Sequence, residues 1–173
     1  MSSLPRNSAR SPGKSEGRDV ADTLTREQRR KCMAAIRGKD TKPEMIVRSI
    51  THRLGYRYGL HAADLPGKPD MVFRLRRAVV FVHGCYWHMH TCKRGRSTPA
   101  TNTKFWRTKR EGNRRRDRAA CAALRSAGWR VLKVWECECS PAKRPRLIER
   151  LARFLQDCEP SRPSRRRGVR PHA

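Results

Sequence analysis

Residues 81–92, FVHGCYWHMHTC, crowd three histidines, two cysteines, a tyrosine and a tryptophan into one short stretch. Two chemistries compete for those side chains. Cysteine and histidine at close spacing suit a structural metal site, for which Zn2+ is the usual ion. A histidine that follows an apolar run suits acid–base catalysis, because imidazole titrates near neutral pH. The stretch alone does not divide its side chains between the two.

Upstream, LPGKPD precedes MVFRLRRAVVFVH, so that Asp70 opens one β-rich run and His83 ends the next. A carboxylate at a strand start, close to the polar end of a second strand, is a common way to hold Mg2+ for phosphodiester hydrolysis. The hard ion takes oxygen ligands, keeps several waters and can stabilise a leaving oxygen. A nuclease superfamily carries Pro-Asp and then Asp/Glu-x-Lys at this spacing. Pro69-Asp70 matches the first half, but Phe81 fills the acidic slot and His83 the lysine slot. The plainer alternative is an aspartate capping a turn after proline.

These residues need elements to hold them. Thr25 and Gln28 form a capping-box pattern for a short helix running to about Ile36 and ended by Gly38. A second helix starts after Thr41, with Pro43 in its first turn, an apolar stripe of Ile46, Val47, Ile50 and Leu54, and a stop at Gly55. YRYGL alternates weakly, and DMVFRL and RAVVFVH, split by Arg76 and Arg77, predict a hairpin. A charged helix is expected over 102–127, with Gly112 a candidate break and a packing face of Ala120, Cys121, Ala123, Leu124 and Ala127. WRVLKVW is the clearest strand, and RLIERLARFL is amphipathic through Leu147, Ile148, Leu151, Phe154 and Leu155. This order predicts an α/β fold of three layers around a mixed sheet.

The chain has 173 residues, 42 Lys+Arg against 15 Asp+Glu, and a formal charge of +27. So much positive charge points to a polyanionic partner, with nucleic acid ahead of a membrane surface. No apolar run is long enough for a membrane span and the N-terminus lacks a signal-peptide pattern, so a cytoplasmic location is expected. Residues 1–22 and 159–173 read as disordered basic tails around one domain over 23–158. Seven cysteines in a reducing compartment point to metal binding by a clustered subset rather than to disulfides.

HGCYWHMHTC, with KPD upstream and WEC downstream, resembles the very short patch repair (Vsr) endonucleases of bacteria. The resemblance runs from KCMAAIRGKDTKPE to GWRVLKVWEC and takes in LPGKPD, STPATNTKFW and RDR. It implies a fold related to type II restriction endonucleases, with a structural zinc site. It implies an active centre of Asp70, His83 and His88, with Asp117 orienting a histidine and Glu44 near the catalytic ion. Mg2+ would take Asp70 and the backbone carbonyl of Val82, which explains how a second acidic side chain can be dispensed with. His88 suits the general base for an attacking water, and His83 could assist proton transfer or hold a phosphate oxygen; their division of labour stays open. Cys85, His90, Cys92 and Cys137 become the zinc ligands, with Cys139 a rival for the fourth position. A closed four-ligand zinc is structural, so it is not the hydrolytic ion.

In relatives an aromatic pair wedges into the duplex beside the mismatch, which places Tyr86 and Trp87 there, Tyr86 standing where a relative has phenylalanine. Met33 matches a methionine that enters from the other groove, and Asn113 an asparagine near the mismatched bases. Lys109, Arg114 and Arg115 would contact phosphates. The activity so implied is a nick in double-stranded DNA 5′ to the thymine of a T·G mismatch, left by deamination of 5-methylcytosine. A cytosine-5 DNA methyltransferase is then a functional neighbour, a monomer suffices, and the protein is expected at the bacterial nucleoid. The rivals are a restriction-type nuclease without mismatch preference and a basic zinc-binding nucleic-acid module.

Overall fold

In the computed structural model, which describes residues 25, 27, 28, 31, 40–60 and 62–157, the apolar run AVVFVH pairs in parallel with RVLKVW. Neither run offers alternation: five of the six residues of Ala78–His83 are buried, as expected of a strand covered on both faces. We number the strands β1 (Gly59–Leu60), β2 (Met71–Phe73), β3 (Ala78–His83) and β4 (Arg130–Trp135). They form one mixed sheet in the order β1-β2-β3-β4, antiparallel except for the β3–β4 pair. From residue 40 onward, the α-helices of the described residues are α1 (Lys42–Arg53), α2 (Lys93–Arg96), α3 (Thr103–Ser126) and α4 (Arg144–Gln156). No helix of the described residues is long and apolar enough to cross a membrane.

Both faces of the sheet are covered. On one, Met71, Phe73, Ala78, Val80 and Val134 pack with Val47 and Ile50 of α1 and Leu147, Leu151 and Leu155 of α4. On the other, Val72, Val79 and Phe81 meet Cys121 and Leu124 of α3. Alternate residues of β2 and β3 therefore serve opposite cores, as the period of two requires. The three-layer α/β arrangement is the expected one.

Local details follow the sequence in places and depart from it in others. Thr25 and Gln28 exchange reciprocal hydrogen bonds, Thr25 N–H to Gln28 Oε1 at 2.8 Å and Gln28 N–H to Thr25 Oγ1 at 3.1 Å, which is the predicted capping box. The rest of that helix's expected span is mostly outside the described residues, as are Met33 and both tails. The hairpin forms with a 3-10 turn at Arg74–Arg76 and Arg77 in the left-handed region at φ 44°, so β2 is shorter than DMVFRL suggested. The predicted strand YRYGL contributes only two residues at the sheet edge.

Gly112, a candidate break, does not interrupt the helix: α3 runs unbroken for 24 residues. One glycine costs a helix only about 1 kcal/mol, which the packing of Cys121 and Leu124 outweighs. Ala123 and Ala127 are exposed, not part of the packing face, and Ile148 is 37% exposed although it belonged to the predicted stripe. The buried seam of α4 is the narrower row Leu147, Leu151, Leu155. Leu151→Ala should therefore lower unfolding free energy by about 2–5 kcal/mol, whereas Ile148→Ala should change it by less than about 1 kcal/mol, read from paired denaturant melts.

Candidate active site and metal centre

β3 and β4 run in register to the same level, with His83 opposite Trp135. The segments that leave them therefore converge. Cys85 Sγ accepts the N–H of Cys137 at 3.4 Å, and the Glu136 carboxylate accepts the N–H of Cys85 at 3.2 Å. Between Cys85 and Cys92 the chain folds back tightly: His88 N–H bonds Gly84 O at 3.2 Å, His90 N–H bonds Cys85 O at 3.0 Å, and Met89 takes φ 53°. Gly95 must be a glycine, because a Cβ there would lie 2.0 Å from the His90 carbonyl oxygen.

This folding brings one potential ligand atom each of Cys85, His90, Cys92 and Cys137 within 4.8 Å of one another. Cys139 is not in the group; its thiol lies 3.9 Å from the carbonyl oxygens of Pro43 and Trp135. The grouped donor set, three sulfurs and an imidazole nitrogen, fits a thiophilic tetrahedral cation. Its protonation chemistry fits as well. Burial pushes the Cys85 thiol up to about 12 and raises Cys137, while the hydrogen bond with His90 draws Cys92 down to about 6. Three crowded thiols do not all ionise without a compensating positive charge. His90 itself is held by stacking on Trp135, ring centroids 4.3 Å apart.

A second cluster lies beside the first. His88 Nδ1 and Asp117 Oδ2 are 2.5 Å apart, and the His88 ring stacks on His83 at 4.0 Å and 10°. Asp117 comes from α3; burial raises its carboxyl, but the hydrogen bond and charge of His88 outweigh that and leave it below the usual range. His83 is 5% exposed, its Nδ1 is buried without a hydrogen-bond partner, and burial followed by the His88 charge lowers its pKa to about 3. It is a neutral imidazole at neutral pH. The aspartate contacts His88 through Nδ1, which leaves Nε2 as the ring nitrogen away from that contact.

Asp70 faces the same space. The turn before it uses Gly67 at φ 76° and Lys68 at φ 49°, and Pro69 is fully buried, so the chain enters β2 in one direction. Its Oδ2 accepts the N–H of Val82 at 2.7 Å, which ties the carboxylate to the end of β3. Glu44, 5% exposed, is fixed by Thr41 Oγ1 at 2.8 Å, the N–H of Asp40 at 3.0 Å and Arg48 at 3.1 Å. A cavity of about 630 Å3 is lined by Glu44, Asp70, Val82, His83, His88 and Asp117, and also by Trp87 and Asn113. Phe81, in the slot where the superfamily pattern has an acid, is 6% exposed and packs in the core.

Tyr86 and Trp87 are half-buried and meet edge-on at 5.2 Å. Asn113 Nδ2 donates to Trp87 O at 3.2 Å. Three residues in this region had no role in the sequence reading. Trp106 packs edge-on against Trp87 at 6.0 Å, Glu136 bridges the loop to the end of β4, and Arg110 is a buried cation on α3. Trp106 and Glu136 stand inside the motifs KFW and WEC, whose spacing is the signal that points to them. Arg110 is one of several arginines in a charged helix, and nothing in a single sequence distinguishes it.

Comparison with known proteins shows the family to which the chain belongs. Residues 21–94 match the family model described as DNA mismatch endonuclease Vsr. The chain is 50% identical over 121 residues to the type II nicking enzyme V.XorIIP of Xanthomonas oryzae pv. oryzae, covering 70% of this chain and 88% of that protein. It is 39% identical over 139 residues to the type II nicking enzyme V.NmeAIP of Neisseria meningitidis, covering 80% and 99%. It is 42% identical over 118 residues to the DNA mismatch endonuclease Vsr of Escherichia coli K12, covering 68% and 75%. The chain belongs to the Vsr family of DNA endonucleases.

The geometry separates two otherwise similar substitutions. Cys137→Ser should lose stoichiometric metal and melt at a lower temperature, because binding a structural metal is part of the folding free energy. Cys139→Ser should retain metal at the wild-type stoichiometry, as measured by metal analysis of the purified proteins.

Proposed function

We propose that this protein nicks double-stranded DNA 5′ to the thymine of a T·G mismatch and so initiates very short patch repair. The observation that carries the proposal is the convergence of Asp70, the His88–Asp117 pair and Trp87 on one cavity under a loop anchored by a Cys/His cluster. Family membership supports the nuclease chemistry, and the name of the Escherichia coli relative supports the mismatch preference. The same likeness favours a restriction-endonuclease-like ancestry for the three-layer fold.

In this proposal Zn2+ takes Cys85, His90, Cys92 and Cys137 and is structural. Mg2+ takes Asp70 and the Val82 carbonyl; bound there, it would neutralise phosphate charge and stabilise the leaving oxygen. The cavity suits a hard cation because Asp70, Glu44 and Glu136 all line it. His88, oriented by Asp117, removes a proton from the attacking water at Nε2. His83, neutral and stacked beneath His88, fixes the plane of that ring. Tyr86 and Trp87, the latter packed against Trp106, enter the duplex at the mismatch, where unstacking is cheapest. Asn113 holds the carbonyl of Trp87 and faces the same bases, and Met33 approaches from the opposite groove.

The exposed cations of α3, Lys109, Arg114 and Arg115, contact phosphates. One nick at one mismatch needs one protomer, so the protein acts as a monomer. Its substrate arises where 5-methylcytosine deaminates, so a cytosine-5 DNA methyltransferase supplies the sites on which it acts, in the bacterial cytoplasm at the nucleoid.

Asp70→Ala should abolish nicking of a T·G duplex and leave duplex affinity within about threefold of wild type, because phosphate contacts dominate binding. Single-turnover cleavage and a binding titration at one salt concentration check both halves. Nicking by the variant at a near wild-type rate would remove Asp70 from the reaction.

A further inference from the structure

Arg110 is 5% exposed, yet among the described residues it forms no ion pair. Its guanidinium instead takes three backbone carbonyls. Nε donates to Tyr86 O at 2.7 Å, Nη1 to Ser97 O at 2.9 Å, and Nη2 to Gly95 O. The same group stacks over the Tyr86 ring, 4.4 Å from its centroid. Burying a cation without a carboxylate is costly, and these charge-assisted bonds together with the ring offset the cost. An apolar side chain would fill the space without that penalty. What only the planar fork supplies is a fixed relation between three points on two segments, the aromatic pair and the turn after Cys92.

The Cys/His cluster cannot supply that relation. It anchors Cys85, His90 and Cys92 through their side chains, whereas Tyr86 and Trp87 lie between anchors and contribute none. Arg110 holds the carbonyl of Tyr86 and lies against its ring, and one turn along α3 Asn113 holds the carbonyl of Trp87. α3 is thereby the bar to which the pair is fixed, and it also carries Asp117, the partner of His88.

We propose that Arg110 is a positioning residue: it sets Tyr86 and Trp87 for entry into the duplex and so governs discrimination between mismatched and paired DNA. This rests on the mismatch-nicking function proposed above. Loss of the fork should let the ring pair reorient while the metal cluster and the phosphate-binding cations stay in place.

The test uses Arg110→Lys, which keeps the charge but not the fork, and Arg110→Met, which keeps the aliphatic length. Each is compared with wild type by metal content, by affinity for T·G and T·A duplexes, and by the fluorescence of 2-aminopurine placed beside the mismatch, which brightens when a ring unstacks it. Wild type should brighten the probe on T·G DNA. Arg110→Lys should retain metal and T·A affinity, bind T·G with about tenfold less preference, in keeping with the loss of roughly one stacked ring, and leave the probe dim. Arg110→Met should behave alike; if it does not fold, Arg110→Lys decides. Unchanged preference and brightening in Arg110→Lys would overturn the inference, as would equal losses on both duplexes, which mark a residue that only supports the fold. A wild type that neither prefers T·G nor brightens the probe would overturn the mismatch function itself, and is distinguishable from failure of the variants alone.

Discussion

The parallel pairing of β3 with β4 is the interaction on which the rest of the site depends. Its register sets His83 opposite Trp135, so both strands end together. Everything that follows each strand starts from adjacent points. Cys85 comes two residues after one strand end and Cys137 two residues after the other, and their sulfur and N–H meet. A shift of one residue would turn His83 from the cavity to the opposite face and separate the two cysteines. The register is protected because both faces of β3 are buried against separate cores, so a slip would exchange Val79 and Val80 between environments filled by different helices.

α3 supplies the second half of the site from the other side. Within two turns it presents Arg110 to the loop carbonyls, Asn113 to Trp87 and Asp117 to His88, at the spacing that puts side chains on one helical face. Its opposite face displays arginines to solvent. One helix therefore separates two tasks. Under the proposed function, long-range attraction to phosphate would come from exposed charge, insensitive to sequence, whereas the aromatic pair is placed by buried, directional bonds. The net charge of +27 speaks to the first task and carries no information about the second.

Much of this was legible in the sequence, and the limits have physical causes. The cap at Thr25, the stop at Gly55, the hairpin and the strand WRVLKVW depend on local backbone preferences, which short windows of residues encode. The proximity of His88 to Asp117 is set by tertiary packing across 29 positions of sequence and came from resemblance, not from periodicity. Cys137 and Cys139 cannot be ranked by spacing, because the 3-10 turn that parts them begins only at Glu136. Gly112 does not break α3 because helix propensity is a weak prior against a packed helix of this length. Arg110 was invisible because its neighbours are also basic, and only the fold tells a buried guanidinium from a solvated one.

In the proposed function, the cavity lined by Asp70, His88, Asp117 and Trp87 cleaves the phosphate 5′ to a mismatched thymine. The most direct measurement is single-turnover cleavage by the wild-type protein of end-labelled duplexes identical except for one T·G or T·A pair, with Mg2+ present, each strand labelled in turn. The expected result is one product, from cleavage of the thymine strand at the phosphate 5′ to the mismatched base, and negligible cleavage of the fully paired duplex. Equal cleavage of both duplexes, or cuts in both strands, would contradict it.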